Sequence, residues 1–503
     1  MVFVLSHLVA ELGRRMHGPP LRITVVDPND ELGTGTPYAT RGGTWPLLLT
    51  SARHLLPGDA ENAFIRWLRE TPPAWLDVVR AGTPRERAWL AEHEAAVAGG
   101  DFADLYLPRH VFGAFLRERL RASVDAARAG GLARVRFVPA AATAITRTGP
   151  RGLAIRTANA AHPLIPTATL VLATGSAPPA ASPADGAVPG YVHDIYRAGH
   201  LRIERQIRDD LAGARPHDGR VVIAGSNAAA TEMLHLLATS PELLRDVRRV
   251  TVVSPSGRLP DLRDVRSGVA PPCERLHALA DLPGAQLTAE ALYAALRADV
   301  NEARRHGALA EDLAPCIPPR VLALLGRAPR AERRAFLGLA AALLLRILRR
   351  TGGPYARAAS LLDVHGRLER IAGSVREVNA DGRTGFVLLR DGRPPETLDG
   401  ALAIINCTGS ARLDDDPRPL MRSILAGGAS IARVTPSGRG LVVSARFEAS
   451  PGVFVMGPLL AGYTHRDLHV WRLEVVARIE SLAPRLARVL ARRLLDAAHV
   501  RRG

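Results

Sequence analysis

One stretch of the chain, residues 220–261, restricts the possible fold more than any other. It contains a short apolar strand over 221–224, a turn at Gly225, a helix over 228–238 and a second apolar run over 250–253. In βαβ units of this kind a pyrophosphate binds at the helix N-terminus, and a ribose lies at the tip of the second strand. The stretch therefore predicts an α/β fold with a dinucleotide site.

The predicted nucleotide contacts in this unit are Gly225, Ser226, Asn227, Ala228, Ser254 and Arg258. Backbone N–H groups at the helix start face the pyrophosphate. Asn227 replaces the second glycine of the usual pattern, because asparagine tolerates left-handed backbone angles. Ser254 stands where NAD-specific proteins carry an acid, and Arg258 can pair with a 2′-phosphate, so NADPH is predicted over NADH. The alternatives are a purely structural turn and a solvated Arg258.

Composition excludes several other classes of protein. The net charge of +17 comes from basic residues that are all arginine and are spread along the chain, while aromatic residues make up only 4%. A nucleic-acid partner is therefore not predicted. Cys273, Cys316 and Cys407 lie far apart, which argues against a disulfide framework or a metal site. Cys407 follows an apolar run and is predicted to be a small core residue.

Length and hydropathy favour a multidomain protein outside the membrane. At 503 residues, two or three domains are expected. The most apolar run, 337–348, is short and interrupted by Arg346, whereas a membrane span needs about 18 apolar residues. The N-terminus lacks the basic region and cleavage site of a signal peptide. We expect a cytoplasmic protein with no membrane partner; its oligomeric state is open, a homo-oligomer being one option.

The N-terminal part has the order of a second nucleotide domain. A helix over 2–15 precedes a strand over 21–26, which ends in Asp27, where Rossmann folds place the acid that binds a ribose hydroxyl. The glycine-containing loop 31–38 follows. A strand with GxGxxG should stand about 20 residues before the acid, yet counting back from Asp27 reaches Met1.

Two explanations of this gap are open. Either the chain as given begins late, without the first strand and its phosphate loop, or this domain has lost its nucleotide site. We expect the first, because removal of the central strand of a parallel sheet leaves both neighbours unpaired. The alternative role for Asp27 is that of a simple turn residue.

The remaining periodicities give a coarse map of the chain. Helices are predicted over 61–70, 108–129, 288–306, 316–326, 330–350, 354–363 and, with a break at Pro484, 466–496. Strands are predicted within 135–155 and over 170–173, 367–376, 384–390, 401–406 and 452–456. Thr-Gly follows the strands 170–173 and 401–406, and Gly457 follows 452–456.

This order of motifs resembles the flavoproteins in which an inserted NAD(P)H domain interrupts an FAD domain. It is most similar to the FAD/NAD(P)-binding proteins related to the N-hydroxylating amine monooxygenases. The similarity is carried by ITVVDPNDELGTGTPY, YLPRHVFGAFLRERL, ATGSAPP, INCTG followed by PLMRSILAGGA, and VFVMGPLLAG. It implies two Rossmann-like domains, with FAD bound by 1–178 and 406–503 and NAD(P)H by 179–405, which includes a helical insert at 267–365.

The resemblance also implies roles for single residues. Asp27 would bind the adenosine ribose, and a helix after Gly457 would direct its N-terminus at the flavin. The implied FAD contacts and domain crossover positions are Asp27, Gly33, Gly35, Thr174, Gly175, Gly409, Gly457, Pro458 and Leu459. Catalytic candidates in the substrate pocket are Arg109, His193 and His465, and its other candidate residues are His110, Asp194, Tyr463 and His469.

Three functions are compatible with these observations. The first is an FAD- and NADPH-dependent monooxygenase that uses molecular oxygen to hydroxylate the amine nitrogen of a small amino-acid-like substrate, with insert arginines binding an anionic group. The second is a flavoprotein reductase or dehydrogenase without oxygen chemistry. The third is a non-catalytic nucleotide-binding protein, which the absent glycine loop favours. We expect the first.

Overall fold

The computed structural model describes residues 1–15, 20–150, 152–213, 218–380, 383–426, 431–465, 468–470 and 475–500. The helices are α1 Val2–Gly13, α2 Gly35–Tyr38, α3 Gly58–Glu70, α4 Pro72–Ala81, α5 Pro84–Glu92, α6 Glu94–Gly99, α7 Arg109–Ala129, α8 Ile195–Ala198, α9 His200–Ala212, α10 Ala228–Thr239, α11 Pro241–Asp246, α12 Glu274–Ala278, α13 Ala289–Arg305, α14 Ala310–Leu313, α15 Ile317–Arg327, α16 Arg330–Leu348, α17 Gly353–Val364, α18 Pro419–Leu425 and α19 Val476–Val500.

The strands are mostly short. They are β1 Leu21–Val26, β2 Ala133–Val138, β3 Ala142–Arg147, β4 Leu153–Thr157, β5 Leu164–Thr167, β6 Leu170–Leu172, β7 Tyr191–Val192, β8 Arg220–Ala224, β9 Arg249–Ser254, β10 Asp261–Leu262, β11 Arg350–Thr351, β12 Leu368–Ala372, β13 Ser374–Ala380, β14 Arg383–Leu389, β15 Glu396–Thr397, β16 Ala403–Asn406, β17 Glu448–Ser450, β18 Val453–Val455, β19 Tyr463–His465 and β20 Leu468–Val470.

The central feature is a five-stranded sheet in the order β12-β9-β8-β16-β7. All of its pairings are parallel, and β8 is buried along its whole length. Parallel sheets bury both faces, which is why these strands are nearly continuous apolar runs. The βαβ unit predicted at 220–261 is thus present as β8, α10 and β9, and the α/β fold class is confirmed.

The sheet elements of the N-terminal part are smaller. β1 pairs in parallel with β2, and β6 pairs in parallel with β18, which has β17 on its other side. Among the described residues, β1 has a strand neighbour only on the β2 side, and β6 has one only on the β18 side.

The hydrophobic interior is divided into separate cores. The largest draws on residues 2–177 and 411–491, a second on 192–407, and a third lies inside the helical segment 273–348. Two aromatic side chains pack in the core of the other part of the chain: Tyr355 lies in the first core, and Trp45 lies in the second. The division parallels the domain limits expected from the sequence, which stay a prediction.

Two local predictions are corrected by the structure, which also contains a helical run that was not predicted. Helix α19 continues through Pro484 without a break; its apolar face, including Leu482, Leu486 and Leu490, is buried, and this burial offsets the hydrogen bond that a proline removes. Its first residue is Val476, so the prediction of a helix from 466 is wrong at 468–470, which form β20, while 466–467 and 471–474 lie outside the described residues.

The second correction concerns the segment after Gly457. The chain forms a single 3₁₀ turn over Gly457–Leu460 and then the strand β19, so the predicted helix directed at a flavin is absent from this segment. The helical run α4 to α6 was not predicted from the sequence, because its helices are short.

Candidate functional site

The carboxyl ends of β8 and β16 lie side by side at the centre of the parallel sheet. Gly225 follows β8 with φ of +110°, and a Cβ atom built on it would lie 2.3 Å from the carbonyl oxygen of Cys407. Only glycine avoids both the strained backbone and this collision. The strand order changes direction here, which is where open α/β sheets bind their ligands.

The turn leads directly into α10, whose first residue is Ala228. Asn227 has φ of −93° and ψ of −166°, an extended conformation, so the prediction that it adopts left-handed angles is wrong. Gly225 alone provides the positive φ in this turn, and the N–H of Gly225 is held by the carbonyl oxygen of Val253 at 2.7 Å. The free N–H groups at the start of α10 remain suited to a pyrophosphate.

A cavity of about 370 Å³ lies between α10, α17 and the loop that follows β9. Its lining residues are Thr231, Gly257, Arg258, Leu259, Pro260, Thr351, Tyr355, Ala356, Ala359 and Arg370. The volume is in the range of small-molecule sites. Two of the lining side chains, Arg258 and Arg370, are cationic. Arg258 lies in the loop after β9, and Arg370 lies on β12.

Arg370 was not identified from the sequence. It lies on β12, the strand next to β9, and its guanidinium pairs with Asp363 of α17. The sequence shows only an arginine within a predicted strand after the βαβ unit. The pairing of β12 with β9 is what brings Arg370 and Arg258 to one cavity.

Ser254 lies at the end of β9, at the position predicted to face the ribose. It is buried, and its hydroxyl oxygen has no hydrogen-bond partner among the described residues. A buried hydroxyl without a partner is costly, and a ribose or phosphate oxygen of a bound nucleotide would satisfy it. The glycine turn, Ser254 and the two arginines therefore fit an NADPH adenosine half.

The most buried charged group of the region is the carboxylate of Glu232, on the second turn of α10. It accepts hydrogen bonds from Arg109 at 2.7 and 3.3 Å, from the hydroxyl of Tyr196 at 3.1 Å and from Nε2 of His200 at 3.1 Å. Glu232 and His200 are each 1% exposed and Arg109 is 7% exposed. We call these four residues the Glu232 centre.

Electrostatics keep the Glu232 centre ionised. Burial raises the pKa of Glu232, but the charge of Arg109 and the hydrogen bond from His200 outweigh it and bring this pKa to about 2. Burial lowers the pKa of Arg109, yet the Glu232 carboxylate holds it well above the usual value. Arg109, a catalytic candidate, thus has its charge neutralised inside the protein. Sequence signals for Glu232 were weak: an acid in the otherwise apolar run of α10.

His235, one turn after Glu232, is buried without a hydrogen bond to Nδ1 among the described residues. Its ring stacks on Trp45 at 5.5 Å and lies 5.1 Å from the ring of Tyr355. Burial lowers its pKa from 6.5 to about 4, and the nearby charge of Arg85 acts in the same direction. The folded protein therefore holds His235 neutral.

The pH dependence of stability should report this burial. Because the folded pKa lies below the unfolded one, the stabilisation is complete above pH 6.5 and is lost as the pH falls towards 4, up to about 3 kcal/mol. In His235→Phe this pH-dependent contribution should disappear. The free energy of unfolding of the variant should therefore rise relative to that of the wild type as the pH is lowered. Denaturant unfolding at several pH values measures the effect.

His93→Phe is the matched control, because His93 also stacks on a tryptophan, Trp89, at 4.8 Å but is only half-buried. It should leave the slope of stability against pH between 4 and 6.5 close to that of the wild type. Parallel curves for His235→Phe and the wild type over this range would contradict the prediction.

In the predicted FAD half, Asp27 is half-buried at the end of β1. Its Oδ1 accepts hydrogen bonds from the backbone N–H and the Nδ2 of Asn29, at 3.0 and 2.6 Å. Gly33 and Gly35 have φ of +85° and +60°. A Cβ atom on Gly33 would lie 2.6 Å from Cγ2 of Val2, so packing against α1 already explains that glycine.

The other glycines of this half are more open. Gly175, Gly409 and Gly457 all have positive φ, and a Cβ atom on any of them would meet no atom within 4 Å. Open space beside glycine backbone at strand ends fits a cofactor that lies against it. The carbonyl oxygen of Thr174 accepts a hydrogen bond from Arg418 at 3.0 Å, while Leu459 is buried in the largest core.

The remaining pocket candidates are dispersed. Nδ1 of His193 lies 3.3 Å from the hydroxyl of Tyr191, and the carboxylate of Asp194 caps α8. His110 is buried and contacts Glu86 at 2.8 Å. These positions have structural partners, and none of the three lines the cavity described above.

The C-terminal candidates lie on the β19–β20 hairpin. Tyr463 and His465 are on β19, and His469 on β20 is buried with Nδ1 2.6 Å from the hydroxyl of Thr464. The hairpin directly follows Gly457–Leu460. Its role in substrate binding stays a prediction. Over the described chain, no cluster of three or more His, Cys, Asp or Glu side chains could hold a metal ion.

Comparison with known proteins gives a family match for the N-terminal part of the chain. The sequence profile of the FAD-NAD(P)-binding family matches residues 2–177, which confirms the resemblance over that part of the chain. Uncharacterized proteins of Mycobacterium bovis and Mycobacterium tuberculosis are 29% identical over 489 residues, covering 93% of this chain and 89% of theirs.

Among solved structures, the FAD-bound cadaverine monooxygenase of the desferrioxamine pathway of Erwinia amylovora has a TM-score of 0.50 at 12% identity, over 97% of this chain and 92% of that one. The likeness shows a shared fold. L-lysine 6-monooxygenase of Pseudomonas syringae is a weaker match, with a TM-score of 0.47 at 13% identity, over 98% of this chain and 97% of that one. No helix in the described part of this chain is long and apolar enough to cross a bilayer.

Proposed function

We propose that this chain is an FAD- and NADPH-dependent monooxygenase that hydroxylates the amine nitrogen of a small amino-acid-like substrate. The observation that carries the proposal is the set of features after the carboxyl ends of β8 and β9. The Gly225 turn, the unpartnered hydroxyl of Ser254 and the cavity lined by Arg258 and Arg370 match the parts of an NADPH adenosine site. The family match of residues 2–177 and the fold shared with a cadaverine monooxygenase support the FAD half.

The domain division belongs to this proposal. FAD would be bound by residues 1–178 and 406–503, and NADPH by 179–405, with 267–365 as a helical insert. Separate hydrophobic cores support it, because the buried residues of 411–491 pack with those of 2–177 and apart from those of 192–407. FAD, when bound, supplies oxygen activation after reduction by NADPH; the chain binds both nucleotides and excludes water.

An anionic group on the substrate is also proposed. Arg330 and Arg334 of α16 and Arg433 lie close enough that burial and their mutual repulsion lower the pKa of Arg334. Among the described residues, no carboxylate pairs with these three arginines. A Cβ atom on Gly338 would lie 3.2 Å from Pro436, so α16 packs against the segment that contains Arg433. A substrate carboxylate would relieve the repulsion.

The first test is whether the purified protein binds flavin. A yellow preparation, with absorbance near roughly 450 nm, is expected of any flavoprotein. Under air, NADPH oxidation should rise when an amine such as L-lysine or cadaverine is added, with equal oxygen consumption and a hydroxylated amine product. The amino acid should be the better substrate of the two if the arginine group binds a carboxylate.

Two outcomes would contradict the proposal in different ways. NADPH oxidation that reduces flavin but never couples oxygen to an amine would indicate a reductase or dehydrogenase. A colourless protein that FAD does not reconstitute would indicate a non-catalytic nucleotide-binding protein. A cytoplasmic location, and a homo-oligomeric state, stay predictions that fractionation and light scattering test.

A further inference from the structure

The helix that follows the dinucleotide turn, α10, is attached to the FAD-side part of the chain near both of its ends. Near its start, Glu232 forms a bidentate pair with Arg109 at the first residue of α7. Just after its end, Ser240 donates a hydrogen bond to Glu204 at 2.9 Å, and Glu204 forms a second bidentate pair with Arg85 of α5, both distances 2.7 Å.

Both pairs join the same two parts of the chain and are shielded from water. In each pair the arginine belongs to the FAD-side part, residues 1–178 and 406–503, and the glutamate belongs to the NADPH-side part, residues 179–405. Glu204 is 7% exposed and Arg85 is 20% exposed; the guanidinium of Arg85 also lies over the ring of Trp45 at 4.7 Å. Bidentate arginine–carboxylate pairs fix orientation as well as distance.

Two such attachments constrain α10 more than one could. Ser240 follows Glu232 by eight positions, which is about 12 Å of helix, so the pairs act at separate points and prevent rotation about either one. Tyr355 lies on α17, the helix packed against α10. Its hydroxyl donates to the carbonyl oxygen of Leu47 at 2.6 Å, the same oxygen that Arg109 reaches at 3.3 Å.

We propose that Glu232 and Glu204 are positioning residues that fix α10, and with it the bound NADPH, in the orientation that brings the nicotinamide to the flavin. The inference rests on the proposed function. Buried ion pairs rarely stabilise more than apolar residues of the same shape would. Their value here is geometric, because a displacement of about 1 Å between reacting groups can slow a reaction roughly 100-fold.

The test uses Glu232→Gln and Glu204→Gln in the full-length protein reconstituted with FAD. Flavin reduction by saturating NADPH is followed without oxygen, and the dissociation constant of 2′,5′-ADP is measured separately. We expect flavin reduction to slow about 10- to 100-fold, with binding of 2′,5′-ADP changed less than about threefold. Arg109→Lys keeps the charge but loses the bidentate geometry and should recover part of the rate lost in Arg109→Met.

Glu480→Gln is the matched control. Glu480 is also buried and contacts an arginine and a histidine, Arg119 at 2.9 Å and His7 at 3.3 Å, but all three lie in the FAD-side part. Its loss should lower stability without slowing flavin reduction. If Glu232→Gln does not fold, Tyr196→Phe removes one hydrogen bond from the same carboxylate and should still slow reduction more than Glu480→Gln does.

Wild-type rates in both Glu232→Gln and Glu204→Gln would overturn the inference, as would equal slowing by Glu480→Gln. If the wild type itself shows no flavin reduction by NADPH, the proposed function is overturned instead. Calorimetry then decides on the attachment of α10: we expect one unfolding transition for the wild type and two for Glu232→Gln, and an undivided transition in the variant would exclude the attachment.

Discussion

Simultaneous replacement of Arg258 and Arg370 by alanine should weaken NADPH binding about 100-fold or more and leave NADH binding nearly unchanged. The two guanidinium groups line one cavity at the end of β9, where a 2′-phosphate of the adenosine ribose would lie. Each charge-assisted hydrogen bond is worth about 1.5–3 kcal/mol. Each single variant should therefore lose roughly tenfold or more.

Steady-state KM values for NADPH and NADH, or titrations of the two nucleotides, measure this change in selectivity. Arg245→Ala is a suitable control, because Arg245 is exposed on α11 and pairs with Asp246 away from the cavity. Equal losses for NADPH and NADH in the double variant would contradict a 2′-phosphate site. Such a result would indicate that the arginines hold the conformation of the loop after β9 and do not bind the phosphate.

The substitution Gly225→Ala should abolish nucleotide binding at this turn and destabilise the protein by roughly 3–5 kcal/mol. At φ of +110° an alanine is strained, and its Cβ would lie 2.3 Å from the carbonyl oxygen of Cys407. Since that oxygen belongs to the neighbouring strand end, β8 and β16 would have to separate. Denaturant unfolding and NADPH titration measure the two effects.

The control for Gly225→Ala is Gly366→Ala. Gly366 also has a positive φ, +64°, but a Cβ on it would meet no atom within 4 Å, so only the backbone term remains, about 1–2 kcal/mol. Comparison of the two separates the collision from the strain. A loss in Gly225→Ala no larger than in Gly366→Ala would mean that the strand ends are not closely packed.

The structure changes the interpretation of Arg109 most. From the sequence it was a catalytic candidate in a substrate pocket, next to His110. In the fold its guanidinium is buried against Glu232, and His110 is buried against Glu86. Neither position lines the cavity. Arg109 belongs to the positioning contacts proposed above, and the substrate contacts of the β19–β20 hairpin stay a prediction.

Local sequence determined the dinucleotide unit well, because a buried parallel strand, a glycine turn and an apolar helix are specified by residues that are neighbours in the chain. The bounds of β8, α10 and β9 agree with the predicted runs within a residue or two. The Thr-Gly sequences after β6 and β16, and Cys407 as a buried core residue, were found for the same reason.

Only the tertiary structure decided which charges meet. Arg370 is more than a hundred residues from Arg258 in sequence, and the parallel pairing of β12 with β9 brings it to the same cavity. Glu232 and Arg109 are 123 positions apart, and neither periodicity nor composition pairs them. The continuity of α19 through Pro484 likewise depends on burial against α1, because long-range packing can outweigh a local signal that favours a helix end.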